Sequence, residues 1–513
     1  MGILEDAGLE TFHSVIGCNL NQSKSLLNKN LQGSTKVSSA AYHFRSKTIE
    51  TLSALEPGIT EAWNIRFTKM ATLEADLQPF LAPESGDLKD LQEDALSQLS
   101  FQDEWFRCLN GMPFILLCMA FFKIWAVPLM ACLTPLIAWI IPYIFLKFMY
   151  KLPISTDQYA DIMKVLWSGN ITMGGIPSKT EVPSILTPRS VLQGLIMAFS
   201  FIQSLVQPVQ NAMHLYKTDA TLVQNGKKII EIANCYNYFR RDLEALGVDF
   251  PFRNSLDEID LGDPRRTIYL ILEQPQRFQL AFRDLAELEV LWRIANCRLL
   301  HPVLMIERGD SPLFKGTNIR DVSLGLNAVP SPISMSGESH HAALTGPNGG
   351  GKSSFLRAVL QCALIAQAYG VAPAEKLVLR RFDWIISGLR LQDSPGSLSM
   401  FETEVYFAAE LLNRPTDNGP GLVLYDELFH STNPPDGTRT ADKFLQRLWG
   451  KKGVVSIVST HVFELVEAAP SHVQRIQCNA SVLQNGEVDY LYNVKEGICT
   501  VSSVQSIWKR FGL

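Results

Sequence analysis

Residues Ala342–Ser353 read AALTGPNGGGKS. A short apolar run ends at Thr345, and Gly346–Ser353 then fits G-x-x-x-x-G-K-[ST] at every fixed position. Ser354–Gly370 follows with the apolar spacing of a helix. Strand, glycine-rich loop and helix in this order make an anion cradle. Gly346, Gly349, Gly350 and Gly351, with Pro347 and Asn348 among them, let backbone N–H groups close around phosphates. The helix N-terminus, opened by Ser354, adds a positive dipole. In such a loop Lys352 pairs with the β- and γ-phosphates and the Ser353 hydroxyl ligates Mg²⁺.

Working outward, short apolar runs alternate with helical stretches from residue 301 to 513, the pattern of an α/β domain. The run Leu422–Tyr425 ends in Asp426-Glu427. A carboxylate at a strand end suits the Mg²⁺ shell, a role for Asp426, and its neighbour Glu427 can deprotonate an attacking water. Val454–Thr460 leads into His461, placed to reach a γ-phosphate or that water. Upstream, residues 1–110 and 151–300 read as mostly helical. Ala62, Ile65, Phe67, Met70, Leu73 and Leu77 mark one helix, Leu88–Phe106 a second, and Val191–Tyr216, Leu222–Leu246 and Gln279–Leu299 three more.

Residues 111–150 carry only two charges, Lys123 and Lys147, in forty residues. A bilayer core takes about 20 apolar residues per helix. The stretch therefore predicts a transmembrane hairpin broken near Thr134-Pro135, with Trp125, Trp139, Tyr143 and Tyr150 as interfacial anchors. Arg107, Lys147 and Lys151 near its ends put both flanks in the cytoplasm by the positive-inside rule. The alternative is a buried hairpin of a soluble core. No basic and apolar leader precedes it. The nine cysteines form no C-x-x-C pair, which excludes a zinc ribbon and fits free thiols in a reducing compartment. The net charge of -5 argues against a dedicated nucleic-acid binder, which is usually basic.

TGPNGGGKSSFLRAVLQCALIAQAYGVAPAE resembles the ATPase domain of the MutS DNA mismatch repair family, including the ending at Gly370, Val371, Ala372, Pro373 and Ala374. SMFETEV resembles that family's S-T-F-x-x-E motif at Ser399, Phe401 and Glu404. LVLYDELFHST matches at Asp426, Glu427 and Thr432, and STHVFEL at Thr460, His461, Glu464 and Leu465. RLLHPVL resembles the element that opens the family's ATPase domain, at Arg298, His301, Pro302 and Val303. The resemblance implies an ABC-like P-loop ATPase using ATP and Mg²⁺, with helical core and lever regions before it. It also implies a homodimer or heterodimer in which Ser399 approaches the ATP of the other subunit, and DNA as a ligand. Asn348 matches a nucleotide-contacting position, and Phe314 is a candidate to stack on adenine.

The departures are specific. Gly349 replaces Met, His430-Ser431 replaces Arg-Gly, and no Phe before residue 111 is followed two positions later by Glu, so the mismatch-reading wedge is missing. No L-S-G-G-Q precedes the Asp-Glu strand, which argues against a transporter ATPase. The length leaves no room for mismatch and connector domains, and little for a C-terminal helix-turn-helix. The hydrophobic block is foreign to classical members; membrane-attached MutS-like ATPases are more similar. Two functions follow as expectations: a membrane-attached MutS-type ATPase coupling ATP turnover to dimer closure and DNA binding, or a membrane-anchored scaffolding ATPase without DNA.

Overall fold

The computed structural model describes residues 2–81, 99–101, 103–168, 188–252, 262–307, 311–391, 398–414, 419–484, 487–504 and 508. Most of the expected Leu88–Phe106 helix lies outside them. The chain forms two compact units that cut across the boundaries drawn from sequence. One comprises Met1–Glu74, Phe239–Arg253 and Leu280–Leu513; the other comprises Ala75–Tyr238 and Asn254–Gln279.

The first unit is mixed α/β. Its strands are β1 (His301–Pro302), β2 (Leu304–Ile306), β3 (Leu313–Ile319), β4 (Ser331–Ser336), β5 (His341–Thr345), β6 (Val371–Ala372), β7 (Lys376–Arg380), β8 (Trp384–Gly388), β9 (Gly421–Tyr425), β10 (Val454–Ser459), β11 (Val473–Val482) and β12 (Val488–Glu496). The main sheet has the order β12-β11-β5-β10-β9-β8. Its strands are parallel except for β12, which pairs antiparallel with β11. Every residue of β5, β9 and β10 is buried. That is why these strands read as mostly apolar runs without alternation: a parallel strand covered on both faces has no solvent side to mark with charged residues. A second sheet, β2-β7-β3-β4, packs its own face in the same unit, and β1 pairs with β6.

The helix Lys352–Tyr369 follows β5. All of it is buried except Ser353, Ser354 and Arg357. A helix apolar on every face needs cover on every face. The N-terminal helices supply part of that cover. The Gln361 side-chain amide donates to Ala7 O (2.8 Å), Arg45 donates to Ala368 O (3.2 Å) and Asn30 donates to the Tyr369 hydroxyl (3.1 Å). Trp63, Phe67, Phe239 and Trp292 form an aromatic cluster in the same unit, with Phe67 and Phe239 stacked at 4.5 Å. His341 opens β5 fully buried. Its Nδ1 lies 2.7 Å from Ser456 Oγ and its Nε2 3.2 Å from Lys451 O. Those partners suit a neutral imidazole, and burial holds its pKa down at about 3.

The second unit corrects the expected hairpin. The backbone is helical without interruption from Pro113 to Met149, as α-helix over Pro113–Phe121 and Val127–Ile144 and as π-turns over Phe122–Ala126 and Phe145–Met149. No turn forms at Thr134-Pro135; Pro135 and Pro142 lie inside the helix. A tight reversal needs residues that accept positive φ or cap a helix end, and Val127–Ile144 contains no Gly, Asn, Asp or Ser. Pro128, which has no N–H to donate, follows directly on the π-turn Phe122–Ala126, the kind of local adjustment that accommodates a proline in a continuous helix. Thr134 Oγ1 donates to Met130 O (2.8 Å) beside the proline break. Among the described residues, Pro113–Pro135 is the one helix long and apolar enough to cross a membrane. The helix Pro188–Ala245 is the other long element, with Pro208 inside it.

Candidate nucleotide site

The glycine-rich loop joins β5 to the buried helix. Gly349 and Gly351 hold φ of +77° and +97°, values an L side chain resists. Gly351 is the residue before the helix, so its left-handed turn aims the first helical N–H groups into the loop. Lys352 is buried, 5% exposed. Its Nζ donates to Gly346 O (3.1 Å) and Pro347 O (3.3 Å), carbonyls of the loop itself. Burial lowers its pKa, and the charges of Glu427 and Asp426 oppose that shift. A buried ammonium turned onto loop carbonyls fits an anion in front of the loop.

A cleft of about 410 Å³ opens there. Asn348–Phe355 line its floor, and Ile319, Leu324, Val329, Glu427 and Tyr492 form walls. The topology accounts for this convergence. β10 lies between β5 and β9, and all three run parallel, so the loop after β5, Asp426-Glu427 after β9 and His461 after β10 emerge at one edge of the sheet. Crevices at the carboxyl ends of parallel strands are where such sheets bind ligands.

Glu427 has φ +50°, uncommon for a side-chain-bearing residue. Two contacts hold it there. Its N–H donates to Ser459 Oγ (2.9 Å), and the Ser459 hydroxyl in turn donates to Asp426 Oδ1. His461 Nε2 lies 3.4 Å from Glu427 Oε1. That contact is the largest cause holding the Glu427 carboxyl below the usual carboxylate range, with the His461 and Lys352 charges adding to it against partial burial. Glu427 is therefore an ionised base at neutral pH.

His430-Ser431 has a visible role. Ser431 Oγ donates to Glu404 Oε2 (2.5 Å), and His430 Nδ1 lies 3.0 Å from Glu404 Oε1 and 2.9 Å from Glu427 O. Glu404 is 1% exposed. The buried carboxylate thus ties the helix Met400–Asn413 to the loop that carries Glu427.

Ser399 caps that helix. It exchanges hydrogen bonds with Glu402, accepting from its N–H (3.3 Å) and donating to Oε2 (2.9 Å). It is exposed and does not line the cleft of its own chain. Phe314 is misplaced as an adenine stacker: it is fully buried, facing Phe382, and no part of it lines the cleft. It lies on β3, whose alternation turns position 314 inward. The aromatic side chain in the cleft wall is Tyr492, half exposed, with φ +57° and its ring against Gly351. The Tyr490–Tyr492 alternation on β12 is its only sequence signal. Ser459 is the other residue that sequence reading missed.

Residues 342–509 match the family model of MutS domain V. These residues are a MutS-family domain. The DNA mismatch repair protein MutS of Geobacillus thermodenitrificans is 30% identical over 241 residues, covering 44% of this chain and 26% of that protein. The same protein of Geobacillus kaustophilus is 29% identical over 234 residues, and that of Streptococcus pneumoniae serotype 19F is 28% identical over 230. The match spans about a quarter of the length of these MutS proteins. Within the MutS-family domain lie the loop, Ser399, Asp426-Glu427 and His461.

Proposed function

We propose that this protein is a Mg²⁺-dependent ATP hydrolase with an ABC-like P-loop fold, working as a dimer of MutS type. The observation that carries the reading is the buried Lys352 ammonium, turned onto loop carbonyls and facing the Glu427 carboxylate across the cleft. The segment Gly346–Ser354 cradles the phosphates. Tyr492 covers the base, taking the place expected of Phe314. Mg²⁺, held by Ser353 and Asp426, would neutralise charge on the phosphate oxygens. Glu427 takes the proton of the attacking water, and His461 holds the carboxylate in its ionised form and orients it. Lys352 stabilises the charge that develops on the transferred phosphoryl group.

Ser399, exposed at a helix N-terminus and absent from its own cleft, is offered to the nucleotide of a partner subunit. Glu404 and His430 connect that helix to Glu427, so closure of the dimer and alignment of the base are one event. The relatives' name as DNA mismatch repair proteins supports DNA as the ligand whose binding the cycle controls. The apolar helix Pro113–Pro135 supports attachment to a membrane. The net charge of -5 favours the second reading, a membrane-anchored ATPase that does not hold DNA.

The purified protein in detergent tests this reading. ATP should drive dimer formation in sedimentation, and Ser399→Arg should block it while leaving nucleotide binding intact. Duplex DNA should bind with an affinity that falls steeply with salt. Absence of DNA binding at low salt, with and without ATP, decides for the second reading.

A further inference from the structure

The apolar helix has a partner in the second unit, which reveals how a hairpin is built after all. Ile124 and Ala120 are buried with Leu99, and Leu215 and Leu222 pack on them. Further along, Cys132 Sγ lies 3.7 Å from Leu205 O. Advancing from 124 to 132 on one helix thus moves back from 215 to 205 on the other. The helices Pro113–Met149 and Pro188–Ala245 are antiparallel where they pack.

Their charges are spaced alike. Between Lys123 and Lys147 stand 23 residues without Asp, Glu, Lys or Arg, about 34 Å of helix. Between Arg189 and Lys217 stand 27 such residues, about 40 Å. A bilayer core is about 30 Å thick, and helices slightly longer than that tilt. Lys123 meets the end marked by Lys217, because Ile124 and Trp125 share a groove with Tyr216 and Lys217. Antiparallel packing brings Lys147 and Arg189 to the other end.

The surfaces agree with this. Trp125, Leu129, Met130 and Ile141 of the first helix are each more than half exposed, as are Phe199, Ile202 and Met213 of the second. So much contiguous apolar surface exceeds what a soluble monomer shows to water. The polar residues Ser204, Gln207, Asn211 and His214, spaced to share one helix face, line a groove with Lys123. Gln203 and Gln210 do not line it, and they are uncharged. At the far end Tyr159 packs on Trp139 and Tyr143 and donates to Trp139 O (2.7 Å), while Lys147 donates to the Tyr143 hydroxyl (2.9 Å). The exposed Lys147–Tyr143 pair, an aromatic ring whose hydroxyl meets a cation, is what a lipid interface collects.

We infer that residues 124–146 and 190–216 are the two arms of a hairpin that crosses the hydrocarbon core of a lipid bilayer. Lys123 and Lys217 mark one face. Lys147 and Arg189 mark the other, so Tyr150–Leu152 lies across the membrane from the point where the chain enters and leaves. Lys123 and His214 sit at the mouth of a polar groove between the arms, where an ammonium reaches water without crossing lipid. The inference rests on the membrane reading above and adds the second arm.

The test uses the full chain in sealed phosphatidylcholine–phosphatidylglycerol vesicles, with one protease site inserted after Leu152 and another after Gly247. Flotation with the vesicles after alkaline carbonate establishes anchoring. The hairpin then requires that no single chain be cut at both sites until detergent is added. Anchored chains cut at both sites in intact vesicles would overturn the hairpin and leave anchoring in place. Protein that stays soluble overturns both, and a soluble dimer would show that a second copy covers the apolar face. Phe199→Glu and Ile202→Glu together should keep the second arm out of the bilayer, so that single chains are cut at both sites in intact vesicles, while an Asn211→Asp variant stays protected like wild type. Unchanged protection in the double variant would also overturn the second arm.

Discussion

Replacing Glu427 by Gln tests the site at its centre. Gln keeps the length and planarity of the side chain. The backbone stays held, because the contacts that fix φ at +50° run through the Glu427 N–H and the Ser459 hydroxyl rather than through the carboxylate. The side chain is 40% exposed, so folding should tolerate the change. What is lost is the proton acceptor. General-base contributions run about 10²–10⁴-fold, or roughly 3–5 kcal/mol of barrier. Steady-state phosphate release should therefore fall by about that factor, while nucleotide affinity, measured by fluorescent-ATP titration, stays near wild type. The pH profile gives a second reading. His461 is the main cause of the low Glu427 pKa, and burial pushes the other way. His461→Ala should raise that pKa, so the acidic limb of the rate profile moves to higher pH. Turnover within tenfold of wild type in Glu427→Gln, or an unmoved limb in His461→Ala, would refute the assignment of Glu427 as the base.

Four further outcomes follow from the same geometry. Tyr492→Ala should weaken nucleotide binding by about tenfold, the scale of one aromatic–base stack, and Phe314→Leu should not; isothermal titration separates them. Glu404→Gln should slow turnover without changing nucleotide affinity, because it loosens the Ser431 and His430 contacts behind Glu427; single-turnover kinetics reads this directly. His341 is buried neutral with a pKa of about 3, so the unfolded chain binds its proton first as pH falls. Stability should be full above about pH 6.5 and decline toward pH 3, by up to about 1.4 kcal/mol per pH unit from this group. His341→Asn should flatten that slope in urea melts. Gly226→Ala ordinarily strengthens a helix interior by about 1 kcal/mol. Here its Cβ would stand 2.2 Å from Pro264 O, so it should destabilise instead, by about 1–3 kcal/mol, read as a lower Tm.

The sequence alone determined the parts of this protein whose chemistry is contiguous. A glycine-rich loop is built from consecutive residues, so the turn that joins β5 to the helix Lys352–Tyr369 stands whole in the eight letters of Gly346–Ser353. Asp426-Glu427 and His461 stood out for a related reason, since β9 and β10 are buried throughout and read as mostly apolar stretches, and the residues that follow them stand at the carboxyl edge of the sheet. Residues that act from other strands left no such trace. Phe314 and Tyr492 are both aromatic residues on strands, and only the register of β3 and β12 decides which is turned inward and which faces the cleft. Ser459 bonds to Glu427 and Asp426 across 32 and 33 positions, and Glu404 reaches Ser431 across 27. The hairpin divides the same way. Composition located the apolar helix, because transfer from water sums over neighbouring residues. Its partner arm, thinned by glutamines and set off by the 43 residues 147–189, became visible only in the antiparallel packing of Leu215 on the Ala120–Ile124 cluster and of Cys132 on Leu205. Composition records how apolar a segment is, and packing alone records which other segment shares its solvent.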